Sequence, residues 1–298
     1  MVADAGPRIS LVVPSFNAEA TIDRALTSIA NQHYANLELI CMDGASTDGT
    51  VEAIARHGDL VSELVSESDA GQADALNRGF SKATGDIFCW LCADDELAEG
   101  ALQRAAAFLE AHPDVDVVTG GCLRVFDQGV SVQTEPEADF FEQLVLKNTI
   151  EQPSTFWRAG AHRRAGELTL KLKYAFDWEY WCRLRRSGAK FASIPDVMSV
   201  YYFSDTNLTS TGGRKIAREM YRVVREYGPY RGYIAWIYAA LYSVFDLRGF
   251  YDADVSHGRL ATWSFHATLR LLYALFDRES VNAYNWNFAS RQERGLGW

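Results

Sequence analysis

Three acids in a row, Asp94, Asp95 and Glu96, close an apolar run, Ile87-Phe88-Cys89-Trp90-Leu91, that follows Gly85-Asp86. A short continuous run of large apolar residues reads as a buried strand of a parallel sheet. Its acids then stand at the carboxyl edge of the sheet, where open α/β folds bind their ligands. Adjacent carboxylates repel one another, so the arrangement calls for a divalent cation, a helix N-terminus or bulk solvent to absorb the charge. The competing structural reading is an acidic approach to the helix that begins near Gly100, which the helix macrodipole favours. Asp43 repeats the pattern at the end of Leu37-Glu38-Leu39-Ile40-Cys41-Met42, and it faces the same edge if the strands are parallel neighbours. Asp177 opens a helical stretch whose apolar face is Tyr180, Trp181 and Leu184; on position alone, an N-cap is the stronger reading there than catalysis.

The elements that must carry these acids follow from the hydrophobic pattern. Ile9 to Val13 reads as the first strand, broken by Pro14-Ser15-Phe16-Asn17 before a helix over 18–31, with Ile22, Ala25, Leu26 and Ile29 on one face and Asn17 as N-cap. That turn lacks the G-x-G-x-x-G of a dinucleotide site and the strand-end Asp of an aspartyl-nucleophile phosphatase. After Asp43, Ser46, Thr47 or Asp48 can cap the next helix. A third strand near 60–66 leads through Asp69-Ala70-Gly71-Gln72 into a helix on which Asn77 and Arg78 read as solvated. A helix over about 100–111 and a strand from Val115 complete four strand-helix alternations, which imply a parallel sheet with helices on both faces. Between Asp127 and Phe140 a loop or edge hairpin is expected, then a short helix over 140–147. From about Gly213 the chain changes character: Ile216, Met220, Val223 and Val224 give a helical period, and aromatic-rich helices follow over 233–245 and 260–276.

The chain has 298 residues, 48% hydrophobic and 23% charged, as expected for a globular enzyme with a sizeable core. A net charge of -10 argues against a nucleic-acid partner, whose affinity needs clustered Lys and Arg. The five cysteines, an odd number, read as reduced core thiols; Cys89 and Cys92 have thioredoxin-like spacing but lie in a strand pattern, which argues against a redox or zinc role. No signal peptide or membrane-length apolar run is evident, so a cytoplasmic location is expected and Asn207-Leu208-Thr209 is an incidental glycosylation match.

Taken in order, six stretches resemble the family 2 glycosyltransferases with the GT-A fold: Val13-Pro14-Ser15-Phe16-Asn17, Asp43-Gly44-Ala45-Ser46-Thr47-Asp48-Gly49-Thr50, Gly71-Gln72-Ala73-Asp74-Ala75-Leu76-Asn77-Arg78-Gly79, Trp90-Leu91-Cys92-Ala93-Asp94-Asp95, Gln152-Pro153-Ser154-Thr155-Phe156 and Phe176-Asp177-Trp178-Glu179-Tyr180-Trp181. The resemblance implies a Rossmann-like, mostly parallel α/β sheet, with a catalytic domain over 1–212 and a helical region over 213–298. Within the catalytic domain, a nucleotide-sugar half covers about 1–120 and an acceptor half about 121–212. It implies a nucleotide-sugar donor, a divalent cation (Mn2+ or Mg2+), and inverting transfer to a hydroxyl of a saccharide or lipid-linked saccharide, in polysaccharide or glycoconjugate biosynthesis. By the same resemblance, Pro14, Ser15, Asn17 and Glu19 line the nucleoside pocket and Asp43 contacts the base. Gln72, Asn77 and Arg78 approach the donor, Asp94 its ribose or sugar, Asp95 the metal, and Asp177 is the general base.

Two departures stand out. Relatives often read Asn-Ser-Asp-Asp where this chain has Cys92-Ala93-Asp94-Asp95, and often carry a His after the strand ending near Tyr201, where Phe203-Ser204-Asp205 stands here. A nucleotidyltransferase is the alternative within the enzymes, but Pro14 to Asn17 lacks the Gly-rich, basic turn it needs. A non-catalytic sugar-binding protein of the same fold is disfavoured by the joint presence of Asp43, Asp94, Asp95 and Asp177. The few charges of the C-terminal helices raise peripheral contact with the inner face of the membrane, but only scattered Arg231, Arg248, Arg259 and Arg270 support it.

Overall fold

A computed structural model of the chain describes residues 6–126, 131–136, 140–203, 214–228 and 258–276, with positions 233, 236, 237 and 240 besides. The first half alternates as the hydrophobic pattern requires: β1 (Ile9–Ser15), α1 (Ile22–Ala30), β2 (Leu37–Asp43), α2 (Thr50–Ala55), β3 (Glu63–Ser66), α3 (Gln72–Lys82) and β4 (Ile87–Trp90). β1 is buried throughout and pairs in parallel with β2 on one side, Ser15 opposite Asp43, and with β4 on the other, Val12 opposite Trp90. The strand ends that carry Asp43 and Cys92-Ala93-Asp94-Asp95 therefore flank the end of β1 on one sheet edge. α3 lies close over β1 and β2 because Gly79 faces them; a Cβ there would stand 2.5 Å from Val12 Cγ1. Gly71, at φ 111°, turns the chain into that helix, so that Gln72 begins it at the same edge.

The parallel set ends at β4. After Asp95 the chain forms β5 (Glu96–Leu97), which leaves β4 and pairs antiparallel with β9 (Phe191–Phe203), and continues into α4 (Ala101–Ala111). β6 (Val117–Phe126) does not join β4 either: β8 (Thr155–Arg158) lies between them, antiparallel to both. Among the described residues the sheet has nine strands, in the order β3-β2-β1-β4-β8-β6-β9-β5 with β7 (Ser131–Thr134) as a hairpin partner of β6. Its first half is parallel and its second half mixed. Strand-helix alternation alone does not reveal this, because the antiparallel strand comes some forty residues later in the chain.

Aromatic residues join the halves beneath the site. Trp90 of β4 stacks on Trp181 of α7 (Phe176–Arg186), with ring centroids 5.3 Å apart and planes 6° from parallel, and Trp157 of β8 packs edge-on against both. The short helix α6 (Ala159–Ala165) completes this part, and a further short helix, α5 (Phe140–Gln143), stops before the expected 147 and belongs to the second unit. The chain divides into two compact units, Met1–Ala138 with Ile150–Ser204, and Asp139–Thr149 with Asp205–Trp298. In the second unit, a helix over Arg214–Tyr227 buries Ile216, Val223 and Val224, as its period predicts. Another, Arg259–Leu275, leaves Leu260, Trp263, Leu271 and Leu275 exposed. The expected helix over 233–245 and Asp205 lie largely or wholly outside the described residues.

Candidate active site

The acidic turn after β4 draws together one ligand atom each from Cys92, Asp94 and Asp95, all within 4.8 Å of one another. Asp95 is 1% exposed, and neither of its carboxylate oxygens has a hydrogen-bond partner. Burial drives its pKa well above the usual carboxylate range, and the charge of Asp94 raises it further; the nearby Tyr202 N–H, which does not reach hydrogen-bonding geometry, and Arg24 offset only part of this. Burial also raises Asp94, against the pull of Arg24. A buried carboxyl whose oxygens find no donor costs several kcal/mol to ionise. Oxygen donors of this kind suit a hard divalent cation, whose charge would remove that penalty. The chemistry of the residues present therefore fits a divalent cation.

A brace that the sequence did not mark holds the turn. Arg24 of α1 donates through Nη2 to the main-chain oxygen of Asp94 at 2.7 Å and pairs with Glu96 at 3.1 Å. Its guanidinium also lies 3.6 Å over the ring of Tyr202, whose hydroxyl donates to Glu96 at 2.6 Å. Only the pairing of β5 with β9 brings Tyr202 there, so nothing local in the sequence could have signalled it.

The two turns beside the acidic one are tied to each other. The Asn17 amide N–H donates to Ser46 Oγ at 2.8 Å while Asn17 Oδ1 accepts from the Thr47 N–H at 2.9 Å. Glu19 Oε2 accepts from the Gly49 N–H at 3.1 Å. Asn17 is thus not the N-cap of α1: its φ is 49°, the helix begins at Ile22 with Thr21 in the cap position, and no side chain caps it. Between the turns Asp43, 2% exposed, accepts from the hydroxyls of Ser15, Ser46 and Ser66 and from the Ser46 N–H. Burial would raise its pKa, but these donors outweigh it and leave the carboxyl below its usual value. Pro14 is buried in β1, whereas Phe16 is 66% exposed at the tip of its turn.

α3 contributes in three ways. Gln72 Nε2 donates to Cys92 Sγ at 3.1 Å. Asn77 is no solvated residue: its Nδ2 donates to the Leu168 carbonyl at 2.9 Å and its Oδ1 accepts from the Leu168 N–H at 2.8 Å. Arg78 pairs with Asp74 at 2.8 Å and donates to the Ser68 carbonyl at 3.2 Å.

Asp177 is the second residue of α7, after Ala175 in the cap position, so its carboxylate lies within the first turn instead of capping it. It is half-buried; burial is what chiefly raises the thiols of Cys92 and Cys182, and the charge of Asp177 adds a smaller share to both. The face it shares with Trp181, four residues on, is the one that the Trp90 stack sets beside β4. The other acids nearby are committed to arginines, Glu179 to Arg183 at 3.0 Å and Glu151 to Arg124 at 2.6 Å.

A parallel nucleotide-type half-sheet, an antiparallel insertion and a turn carboxylate suited to a cation define a GT-A-like fold, that of transferases acting on nucleotide-diphospho-sugars. Residues 10–169 match the family model described as glycosyl transferase family 2, and the chain belongs to that family and is a glycosyltransferase. It is 30% identical, over 70% of its length and 81% of the relative's, to a PGL/p-HBAD biosynthesis glycosyltransferase of Mycobacterium bovis. A putative glycosyltransferase EpsE of Bacillus subtilis is 36% identical over 42% of this chain and 46% of its own. Among solved structures, S. aureus TarS 1-349 in complex with UDP-GlcNAc superposes with a TM-score of 0.63 at 16% identity, covering 97% of this chain and 93% of that one. The Pyrobaculum calidifontis mannosyltransferase PcManGT, in complex with GDP-Man and Mn2+, superposes with a TM-score of 0.58 at 22% identity over 96% and 86%.

Proposed function

We propose that the protein is a metal-dependent inverting glycosyltransferase that moves a sugar from a nucleotide-diphosphate donor to a hydroxyl of a saccharide or lipid-linked saccharide, in polysaccharide or glycoconjugate biosynthesis. The observation that carries the reading is Asp95, fully buried with two unpartnered carboxylate oxygens at the carboxyl edge of a nucleotide-type sheet. Asp95 and Asp94 would hold a divalent cation, Mn2+ or Mg2+, which supplies Lewis-acid stabilisation of the diphosphate leaving group when bound.

The remaining roles belong to side chains. The stitched turns of Pro14, Ser15, Asn17 and Glu19 form a rigid seat for the nucleoside, with exposed Phe16 offering an aromatic face. Asp43 keeps that seat in shape; contact with a base requires it to exchange one of its four donors. Gln72 and Arg78 approach the donor from α3, while Asn77 fixes the Leu168 segment beside it. Asp177 removes the proton of the acceptor hydroxyl as it attacks the anomeric carbon, so that inversion needs no covalent nucleophile. The TarS structure in complex with UDP-GlcNAc and the mannosyltransferase in complex with GDP-Man and Mn2+ share the fold and support a nucleotide-sugar donor.

Screening nucleotide sugars for release of nucleoside diphosphate with and without Mn2+ tests the reading. Transfer is expected to need the cation, and Asp95→Ala is expected to abolish cation-dependent nucleotide binding in calorimetry. Turnover that survives chelation, or an Asp95→Ala chain that binds metal and nucleotide as the parent does, would overturn it.

A further inference from the structure

Cys92 leaves β4 two residues after Trp90, and its sulfur falls in the same group of ligand atoms as the carboxylates of Asp94 and Asp95, each within 4.8 Å of the others. Among the described residues no other trio of His, Cys, Asp and Glu converges so closely. The sulfur is also held in place. It accepts from Gln72 Nε2 at 3.1 Å, and its S–H points to Gln152 Oε1 at 3.5 Å; Gln152 is itself pinned through Nε2 to the Trp90 carbonyl at 2.8 Å. A second observation, independent of the cysteine, points to a ligand here: Asp95 is 1% exposed with both oxygens unpartnered. The spacing that suggests a Cys89–Cys92 pair is misleading. Positions three apart on an extended chain face opposite ways, and Cys89 is a core residue of β4 outside the group.

We infer that Cys92 is a third donor of the cation site, so that the site presents sulfur with two carboxylates and accepts thiophilic divalent cations, Zn2+ or Cd2+, in competition with Mn2+ or Mg2+. The inference rests on Asp95 being a metal ligand, as proposed above. Hard cations draw on the carboxylate oxygens, whereas borderline and soft cations select thiolate. When such a cation binds, the S–H bond breaks, the proton leaves to solvent, and the sulfur electron pair forms the bond to the metal; a coordinating thiol is deprotonated in this way. The Gln72 N–H stays in place as a donor to the resulting thiolate, orienting it as supporting hydrogen bonds orient metal ligands elsewhere. The consequence is a glycosyltransferase whose metal site is open to displacement by zinc-group cations.

The test uses the full reduced chain, freed of metal. Cd2+ is titrated while the ultraviolet thiolate-to-Cd2+ charge-transfer band is followed, and Mn2+ binding is measured by calorimetry with and without Cd2+. The parent is expected to show the band and to lose Mn2+ as Cd2+ binds. Cys92→Ser is expected to lose the band, to keep Mn2+ binding, and to bind Cd2+ more weakly by over about tenfold, since loss of a ligand exceeds the ~10-fold cost of losing only its hydrogen-bond partner. Cys92→Ala gives the same comparison should the serine chain fail to fold by circular dichroism. Cd2+ that displaces Mn2+ without a thiolate band, or a band that survives in Cys92→Ser, overturns the role of Cys92 and leaves the Asp95 site standing. A parent chain that binds neither cation overturns the metal site and this inference together.

Discussion

Asp177 and Asp95 are carboxylates in contrasting surroundings, one half-buried and the other fully buried. Asp95 has no hydrogen-bonding partner for either oxygen, while Asp177 sits in the first turn of α7, where the helix dipole favours its charge. Asp177→Asn preserves size and removes proton affinity. Losing a charge in a first turn costs about 0.3–1 kcal/mol, whereas losing a general base lowers turnover by about a hundredfold to ten-thousandfold. The variant is expected to melt near the parent and to bind nucleoside diphosphate as the parent does in calorimetry, yet to transfer sugar at a rate reduced by that factor. Parent-like transfer would return the residue to a structural role. Glu179 and Glu151 are poor substitutes because each is already engaged by an arginine. The acids themselves were legible in the sequence, since each follows an apolar run or opens a helix. Their partners were not: Arg24, Tyr202 and the Leu168 clamp on Asn77 reach the site through contacts 70 or more residues apart in the chain.

The turn after β2 is an element whose shape depends on one side chain. The sequence marks Asp43 as the acid left over once Ser46 or Asp48 has capped the next helix. Asp43 gathers the hydroxyls of Ser15 and Ser66, at the ends of the two strands beside its own, and of Ser46 in the turn it opens. Hydrogen bonds to a charged group are worth about 1.5–3 kcal/mol, so Asp43→Asn is expected to lower stability by about that amount at neutral pH. The folded carboxyl has a pKa below the usual 3.8, so its contribution is complete above that value and is lost as the pH falls through the folded-state value. Urea midpoints of parent and variant should therefore differ at pH 7 and converge in acid. A difference that is absent at pH 7, or that does not narrow below the usual carboxylate value, would remove the charge from this account. The same three strands explain why the first half-sheet was readable in advance: each strand and helix follows the last in space as in sequence. β8 and β5 were not, because a four-residue and a two-residue strand carry too little pattern to show where they pair.

At the scale of the whole molecule, charge and apolar surface are unevenly distributed along the chain. The first unit carries the acids of the site within a chain of net charge -10. In the second unit, the helix over Arg214–Tyr227 sets Arg214, Lys215, Arg218, Arg222 and Arg225 against only Glu219 and Glu226, and the helix over Arg259–Leu275 carries Arg259 and Arg270 with no acid. Leu260, Trp263, Leu271 and Leu275 are exposed on the latter, as are Tyr233 and Trp236. Among the described residues no helix is long and apolar enough to cross a membrane. Basic residues beside exposed Trp and Leu are the combination that lets a helix lie in the interface of an anionic bilayer, and electrostatic attraction of this kind fades within a Debye length, about 8 Å at physiological salt. The full chain is therefore expected to float with liposomes containing anionic lipid at low salt, to float less with neutral lipid, and to be released as salt is raised. Trp263→Ser should weaken flotation while leaving metal-dependent nucleotide binding in the first unit unchanged. Such a contact would hold the enzyme at the surface where a lipid-linked acceptor is presented. A chain that stays out of the floating fraction at low salt, with anionic lipid present, would assign these aromatic residues to packing within the protein instead.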